Sequence, residues 1–218
     1  MRYPFGPKHA KRFYDRIGRV QDAQVYEWTA IERLATVCDF EHASAVFELG
    51  CGTGRLAAQL LDERLAERAR YAGVDISSTM IALATRRLAH WDMRATVSQV
   101  DGTPRLPYAD ATFDRFVATY VLDLLSDAAI ANVLHEAHRL LMSGGKLCVI
   151  TSTEGTGPIS RRVSTVWKRL YEINPNLVGG CRPLQRRTWL DERDWSVEHA
   201  EVVTSWGIAS EIVVADRQ

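Results

Sequence analysis

The sequence predicts an α/β protein with a doubly wound, mostly parallel seven-stranded sheet, helices on both faces and an antiparallel C-terminal hairpin. Three observations carry this expectation. Short apolar runs alternate with longer segments of helical period over the first two thirds of the chain, which is the signature of parallel strands joined by crossover helices. The stretch Glu48 to Gly54, E-L-G-C-G-T-G, sets glycines at every second position where a strand gives way to a helix. Near the C-terminus, two alternating runs flank only Ser205-Trp206-Gly207, too short a link for a parallel crossover, so they must pair as a hairpin.

The elements follow in order. Lys11 to Arg19 has a helical pattern, and Val25 to Cys38 a stronger one, with Trp28, Ile31, Leu34 and Ala35 on one stripe. Ala45 to Leu49 is a short apolar strand. Gly54 to Arg70 reads as a helix, since Leu56, Leu60, Leu61 and Leu65 share a face. Tyr71 to Ile76 is the next strand, and Ser77 or Ser78 can cap a helix through Met80, Ile81, Ala84 and Leu88. Ala95 to Val100 alternates as a strand does, and Phe113 to Val121 is a longer, buried one. A helix starting at Ser126 or Asp127 is expected to stop at Ser143-Gly144-Gly145, with glycine supplying a positive-φ cap. Its His135 and His138 read as a solvated face rather than as bases. Lys146 to Thr151 is a buried strand, Pro158 to Ile173 a helix, Asn174 to Pro183 loop, and Arg187 to Trp195 a short helix. Val197 to Thr204 and Ile208 to Ala215 form the hairpin.

Composition narrows the function. The 218 residues suit one domain with a sizeable core, divided as residues 1–40 (a helical lid), 41–152 (the ligand-binding core), 153–196 (a helical insertion on the substrate side) and 197–218 (the hairpin). Lys+Arg and Asp+Glu are both 27, so no overall basic field points to nucleic acid. Cys38, Cys51, Cys148 and Cys181 form no C-x-x-C pair, and no His/Cys spacing fits a metal, so reduced, buried thiols are expected. The start lacks an apolar leader and no run is long enough to span a bilayer, so the expectation is a cytoplasmic protein, monomer or homodimer.

A glycine-rich turn at the carboxyl end of the first strand lets backbone approach a ligand closely, at the place where open α/β sheets bind ligands. Dinucleotide-binding turns read G-x-G-x-x-G and face a pyrophosphate. Here the third glycine, Gly54, comes one residue early, and the carboxylate of Glu48 precedes the first glycine. A carboxylate in that crevice would repel a pyrophosphate and suit a cationic ligand.

V-F-E-L-G-C-G-T-G-R-L resembles the first motif of the Rossmann-like (class I) S-adenosylmethionine-dependent methyltransferases. G-V-D-I-S-S-T-M-I-A-L-A resembles their second, V-D-G-T-P-R-L-P-Y-A-D-A-T-F-D-R-F their third-strand segment, and L-H-E-A-H-R-L-L-M-S-G-G-K-L the helix-to-strand turn of the subgroup that includes the ubiquinone/menaquinone-biosynthesis enzymes. The resemblance spans about Phe40 to Ser152. It implies S-adenosylmethionine as cofactor and a small-molecule methyl acceptor. By that resemblance Gly50, Cys51, Gly52 and Gly54 cradle the cofactor, and Glu48 meets its amino group. Asp75 takes the ribose hydroxyls, and Asp101, with Gly102 and Thr103, meets the adenine amino group. Ile76 and Met80 pack the adenine, Tyr120 lines the methyl donor, Tyr14 belongs to a lid, and Asp123 is a candidate acceptor contact. No general base is named, and the acceptor site falls to residues 1–30 and Thr153 to Trp195. The alternatives are an NAD(P)-dependent oxidoreductase on a related fold, a non-catalytic protein binding S-adenosylmethionine, and a nucleic acid or protein acceptor. The neutral charge, and A-T-Y-V-L-D where base-methylating enzymes carry N/D-P-P-[YFW], speak against the last.

Overall fold

The computed structural model describes residues 27–178, 180–184 and 189–218. In chain order the principal elements are α1 (Glu27–Val37), β1 (Ala45–Leu49), α2 (Arg55–Glu63), β2 (Arg70–Asp75), α3 (Ser78–Arg87), β3 (Ala95–Gln99) and β4 (Phe113–Thr119). These are followed by α4 (Asp127–Leu140), β5 (Leu141–Thr153), α5 (Pro158–Ile173), β6 (Trp195–Ser205) and β7 (Ile208–Arg217). The sheet has seven strands in the order β3-β2-β1-β4-β5-β7-β6. The first five are mutually parallel, and β7 runs antiparallel to both β5 and β6. Both the doubly wound sheet and its terminal hairpin match the expectation from sequence.

Each face of the sheet carries its own core. One joins Val46, Val117, Ile150 and Ile212 of the strands to Ala30 and Leu34 of α1 and to Leu56, Leu60 and Leu61 of α2. The other joins Phe47, Val74, Phe116 and Val149 to Ile130, Leu134, Ala137 and Leu140 of α4. Alternate strand residues thus point to opposite faces, as the pleat requires. Chain order reverses between β1 and β4, which opens a crevice at their carboxyl ends.

Four local expectations are corrected. The helix after the glycine turn ends at Glu63, not Arg70; Leu65 is still buried, but from the turn that follows. α4 ends at Leu140 with extended backbone at Leu141, so Ser143-Gly144-Gly145 is not its cap. Those residues lie within β5, where the register against β4 shifts between Phe113 and Arg115 and Gly144 takes φ 71°. A bulge and a helix cap need the same left-handed backbone, so glycine alone does not distinguish them. No helix forms among the described residues of 187–195; turns lead there directly into β6. On α1 the buried residues are Ala30, Leu34 and Ala35, while Trp28 lies at the surface under the Arg55 guanidinium, 3.1 Å from its ring centroid.

Contrary to the solvated-face expectation, His138 is not free in solvent: its Nε2 lies 3.2 Å from the Gln218 carbonyl, and its ring stands edge-on to Trp195. Asp114 is structural, accepting from the Ser44 amide at 2.6 Å where β1 begins. No described helix is long and apolar enough to cross a membrane. Among the described residues no His/Cys/Asp/Glu group could hold a metal ion.

Candidate cofactor site

Gly50, Gly52 and Gly54 all adopt positive φ, at 72°, 52° and 74°. The amides of Gly50 and Cys51 both donate to the Val74 carbonyl, at 2.8 and 3.0 Å, which pins the turn to the end of β2. The three glycines face different surroundings. A Cβ on Gly50 would lie 2.4 Å from Val121 Cγ2, and one on Gly54 would lie 3.1 Å from the Ala84 backbone. A Cβ on Gly52 would meet nothing within 4 Å. Two glycines therefore serve packing, and the middle one presents bare backbone to open space.

Asp75, the last residue of β2, fastens this turn. Its Oδ2 accepts from the Gly52 amide at 3.0 Å and its Oδ1 from the Ser77 amide at 2.8 Å. Ser77 caps α3 by accepting from the Met80 amide at 3.2 Å. One carboxylate thus sets the glycine turn, the strand end and a helix start in register, at a helix N-terminus where negative charge is favoured.

Glu48 is buried and accepts a hydrogen bond from the Tyr71 hydroxyl at 2.5 Å. The register places Glu48 beside Gly73, and Tyr71 precedes Gly73 by two residues on the same face. A Cβ on Gly73 would lie 2.6 Å from the Tyr71 hydroxyl, so glycine there makes room for the ring. Burial raises the Glu48 carboxyl to about 7; the Tyr71 hydroxyl pulls it down and the Asp75 charge adds to the rise. Burial also raises the Cys51 thiol, with Glu48 and Asp75 adding to it. Linkage fixes the sign of the Glu48 effect on stability. The carboxyl's folded value lies above the ordinary 4.5, so its contribution is fully present below about pH 4.5 and is lost as pH rises through about 7. Glu48→Gln is expected to gain stability relative to the parent by about 2–3 kcal/mol between pH 4.5 and pH 8. Paired denaturant titrations at the two pH values check this, and a constant difference would contradict it.

The remaining sequence-predicted residues are placed as follows. Asp101, Gly102 and Thr103 form an exposed turn after β3, in which the Asp101 carboxylate accepts from the Thr103 amide at 2.9 Å; that bond lowers its pKa. The turn reaches the crevice edge because the Val100 amide donates to the Asp75 carbonyl at 3.0 Å. Ile76 is half-buried beside Asp75, whereas Met80 is fully buried under α3. Tyr120 follows the end of β4, which stops at Thr119 and not at Val121, and takes left-handed backbone, φ 55°, strained for a residue with a Cβ. Its hydroxyl lies 2.9 Å from Ser210 Oγ. Tyr14 lies outside the described residues.

Sequence reasoning passed over two contributors. Tyr71 supports Glu48 from the neighbouring strand, and the Y-A-G spacing was its only signal. Arg87 donates to the Thr53 carbonyl at 3.1 Å and to Thr53 Oγ1 at 2.6 Å, bracing the turn from α3. Asp123, expected from sequence as an acceptor contact, is fully buried and accepts from the Ser152 amide at 2.8 Å, and burial raises it to about 6.

Comparison with known proteins agrees with this geometry. Residues 46–145 match a family described as methyltransferase domain. A demethylmenaquinone methyltransferase of Symbiobacterium thermophilum is 30% identical over 150 residues, covering 68% of this chain and 57% of that protein. A ubiquinone/menaquinone biosynthesis C-methyltransferase of Desulfotalea psychrophila is 37% identical over 111 residues, covering 51% and 42%. The chain thus spans about half the length of these curated relatives. Geranyl diphosphate C-methyltransferase of Streptomyces coelicolor superposes with TM-score 0.70 at 13% identity over 99% of this chain and 98% of its own. The [4+2]-cyclase SpnF does so with TM-score 0.73 at 16% identity over 97% and 96%. Sequence motifs, sheet order and the matched domain converge: this chain carries a methyltransferase domain of the class I, S-adenosylmethionine-dependent type, similar to that of the ubiquinone/menaquinone-biosynthesis enzymes.

Proposed function

We propose that this protein transfers the methyl group of S-adenosylmethionine to a small-molecule acceptor. The observation that carries the reading is the open face of Gly52, bare backbone held between the Asp75 carboxylate and the turn above Glu48. A nucleoside fits against backbone that carries no side chain, and the two acids suit hydroxyl donors on one side and an ammonium on the other. When bound, the cofactor supplies a sulfonium methyl group open to in-line displacement. In this reading Asp75 holds the ribose, Glu48 the amino group, and Asp101 with Gly102 and Thr103 the adenine edge. Ile76 and Met80 back the adenine, Gly50, Cys51 and Gly54 shape the turn, and Tyr120 borders the methyl. Tyr14 would close over it from residues 1–40. The chain's contribution is alignment and exclusion of water, which together supply several kcal/mol when the donor is already activated.

Residues 1–30 and 153–196 are assigned to the acceptor, within a single domain that acts in the cytoplasm as monomer or homodimer. The names of the curated relatives favour an electron-rich ring carbon on a quinol as the methylated atom. The test is incubation with S-adenosylmethionine and a panel of reduced quinones and phenols, read by mass spectrometry. A product heavier by one methylene, with S-adenosylhomocysteine released, supports the reading. A second reading, binding without methyl transfer, is favoured by the likeness to a cyclase on the same fold. Conversion of an acceptor without consumption of the cofactor would support that one.

A further inference from the structure

α5 is built inside out. Its inward side is polar or half-buried: Ser160 Oγ accepts from the Gly157 amide at 3.0 Å, Ser164 Oγ from the Gly155 amide at 2.9 Å, and the Trp167 indole donates to the Cys181 carbonyl at 3.0 Å. Of its aliphatic side chains, Ile159, Val166, Leu170 and Ile173 are exposed and Val163 is half-buried beside the hairpin tip. Ile159, Val163, Val166, Leu170 and Ile173 fall at spacings of four, three, four and three, which confines them to about 80° of the helix circumference. Ile159 is 73% exposed, Val166 55% and Ile173 75%. The stripe is continued by the β6–β7 hairpin tip, where Trp206 is 83% exposed and a Cβ on the adjacent Gly207 would lie 3.1 Å from Val163 Cγ2.

Charge chooses among the surfaces that could meet this stripe. Arg162 and Arg169 lie beside it along one edge at helical spacing, and with Arg161 and Lys168 the helix carries four basic residues against one acid, Glu172. The whole chain balances 27 against 27, so this is a local concentration. An apolar stripe edged by arginines, with a tryptophan at its end, is the pattern of a helix lying in a lipid headgroup layer. A second copy fits less well. A helix of 16 residues is about 24 Å long and offers a few hundred Å², against about 800 Å² per partner in a stable interface. Antiparallel pairing would also set the two basic rows against each other. Residues 1–26 are no complement either, since they contain six Lys or Arg and only two acids.

We propose that α5 and the hairpin tip form a docking face for an anionic lipid surface, with the apolar stripe and Trp206 in the headgroup layer and Arg162 and Arg169 on the phosphates. The inference does not depend on the methyltransferase reading. The test is co-sedimentation of the 218-residue chain with vesicles of phosphatidylcholine, alone or mixed with phosphatidylglycerol. The chain is expected to sediment with the mixed vesicles, to stay free of the neutral ones and to be released by salt. Arg162→Glu with Arg169→Glu should weaken the association at least tenfold, at about fivefold for each basic side chain lost. Val166→Glu with Leu170→Glu should abolish it at unchanged melting temperature. A chain that ignores the mixed vesicles at low salt overturns the proposal. So does a dimer that Val166→Glu splits, or a fall of several degrees in melting temperature for that variant, which would show the stripe packed against protein.

Discussion

Gly52→Val is expected to fold and to lose S-adenosylhomocysteine binding by at least about 100-fold, the scale of a ligand excluded from its contact surface. The fold tolerates the change because a Cβ there meets no atom within 4 Å. What it does cost is backbone strain, about 1–2 kcal/mol for a side chain held at φ 52°. That lowers the melting temperature by several degrees without unfolding a domain of this size. The valine methyls then fill the space over the turn that the cofactor would occupy. Gly50→Val is the informative contrast. Its Cβ would lie 2.4 Å from Val121 Cγ2, so that variant is expected to destabilise the fold itself. Calorimetry beside thermal melts separates the two. Retained affinity in Gly52→Val would show that the ligand does not lie on this face.

Asp75→Ala is expected to weaken the same ligand by about 1.5–3 kcal/mol, roughly tenfold to 150-fold, the range for losing charge-assisted hydrogen bonds. Part of that loss is indirect. The carboxylate also accepts from the Gly52 and Ser77 amides, so alanine loosens the turn and the start of α3 together. Asp75→Asn removes the charge but keeps an acceptor for only one of those two amides, since they bond to different carboxylate oxygens, so its loss is expected to be smaller than that of alanine. Equal affinity in parent and alanine variant would mean that the ribose is held elsewhere.

How much of this was legible beforehand differs by element. β1 and α5 coincide with the ranges expected from sequence, β1 as a short apolar run buried on both faces and α5 as a stripe of helical period. The failures lie where one local signal has two physical outcomes. Gly144 supplies positive φ whether it caps a helix or bends a strand, and only the β4–β5 register decides. Trp28 fits the helical stripe of α1, yet stacking under Arg55 gives it a stable place at the surface. Within the site, Gly52 and Asp75 were readable because each motif lies in contiguous sequence. The Tyr71 support of Glu48 was not, since it depends on strand pairing between β1 and β2. The different tasks of the three glycines were equally hidden, because the neighbours that distinguish them, Val121 and Ala84, lie 71 and 30 residues further on (121 − 50 and 84 − 54).

The central claim is that the turn from Gly50 to Gly54, with Glu48 beneath it and Asp75 beside it, is shaped for S-adenosylmethionine. Titration calorimetry of the purified protein with S-adenosylhomocysteine, and separately with NADPH, tests this most directly. The account predicts saturable binding of the first with a stoichiometry of about one, accompanied by a raised melting temperature, and no heat from the second. Binding of NADPH alone would contradict it.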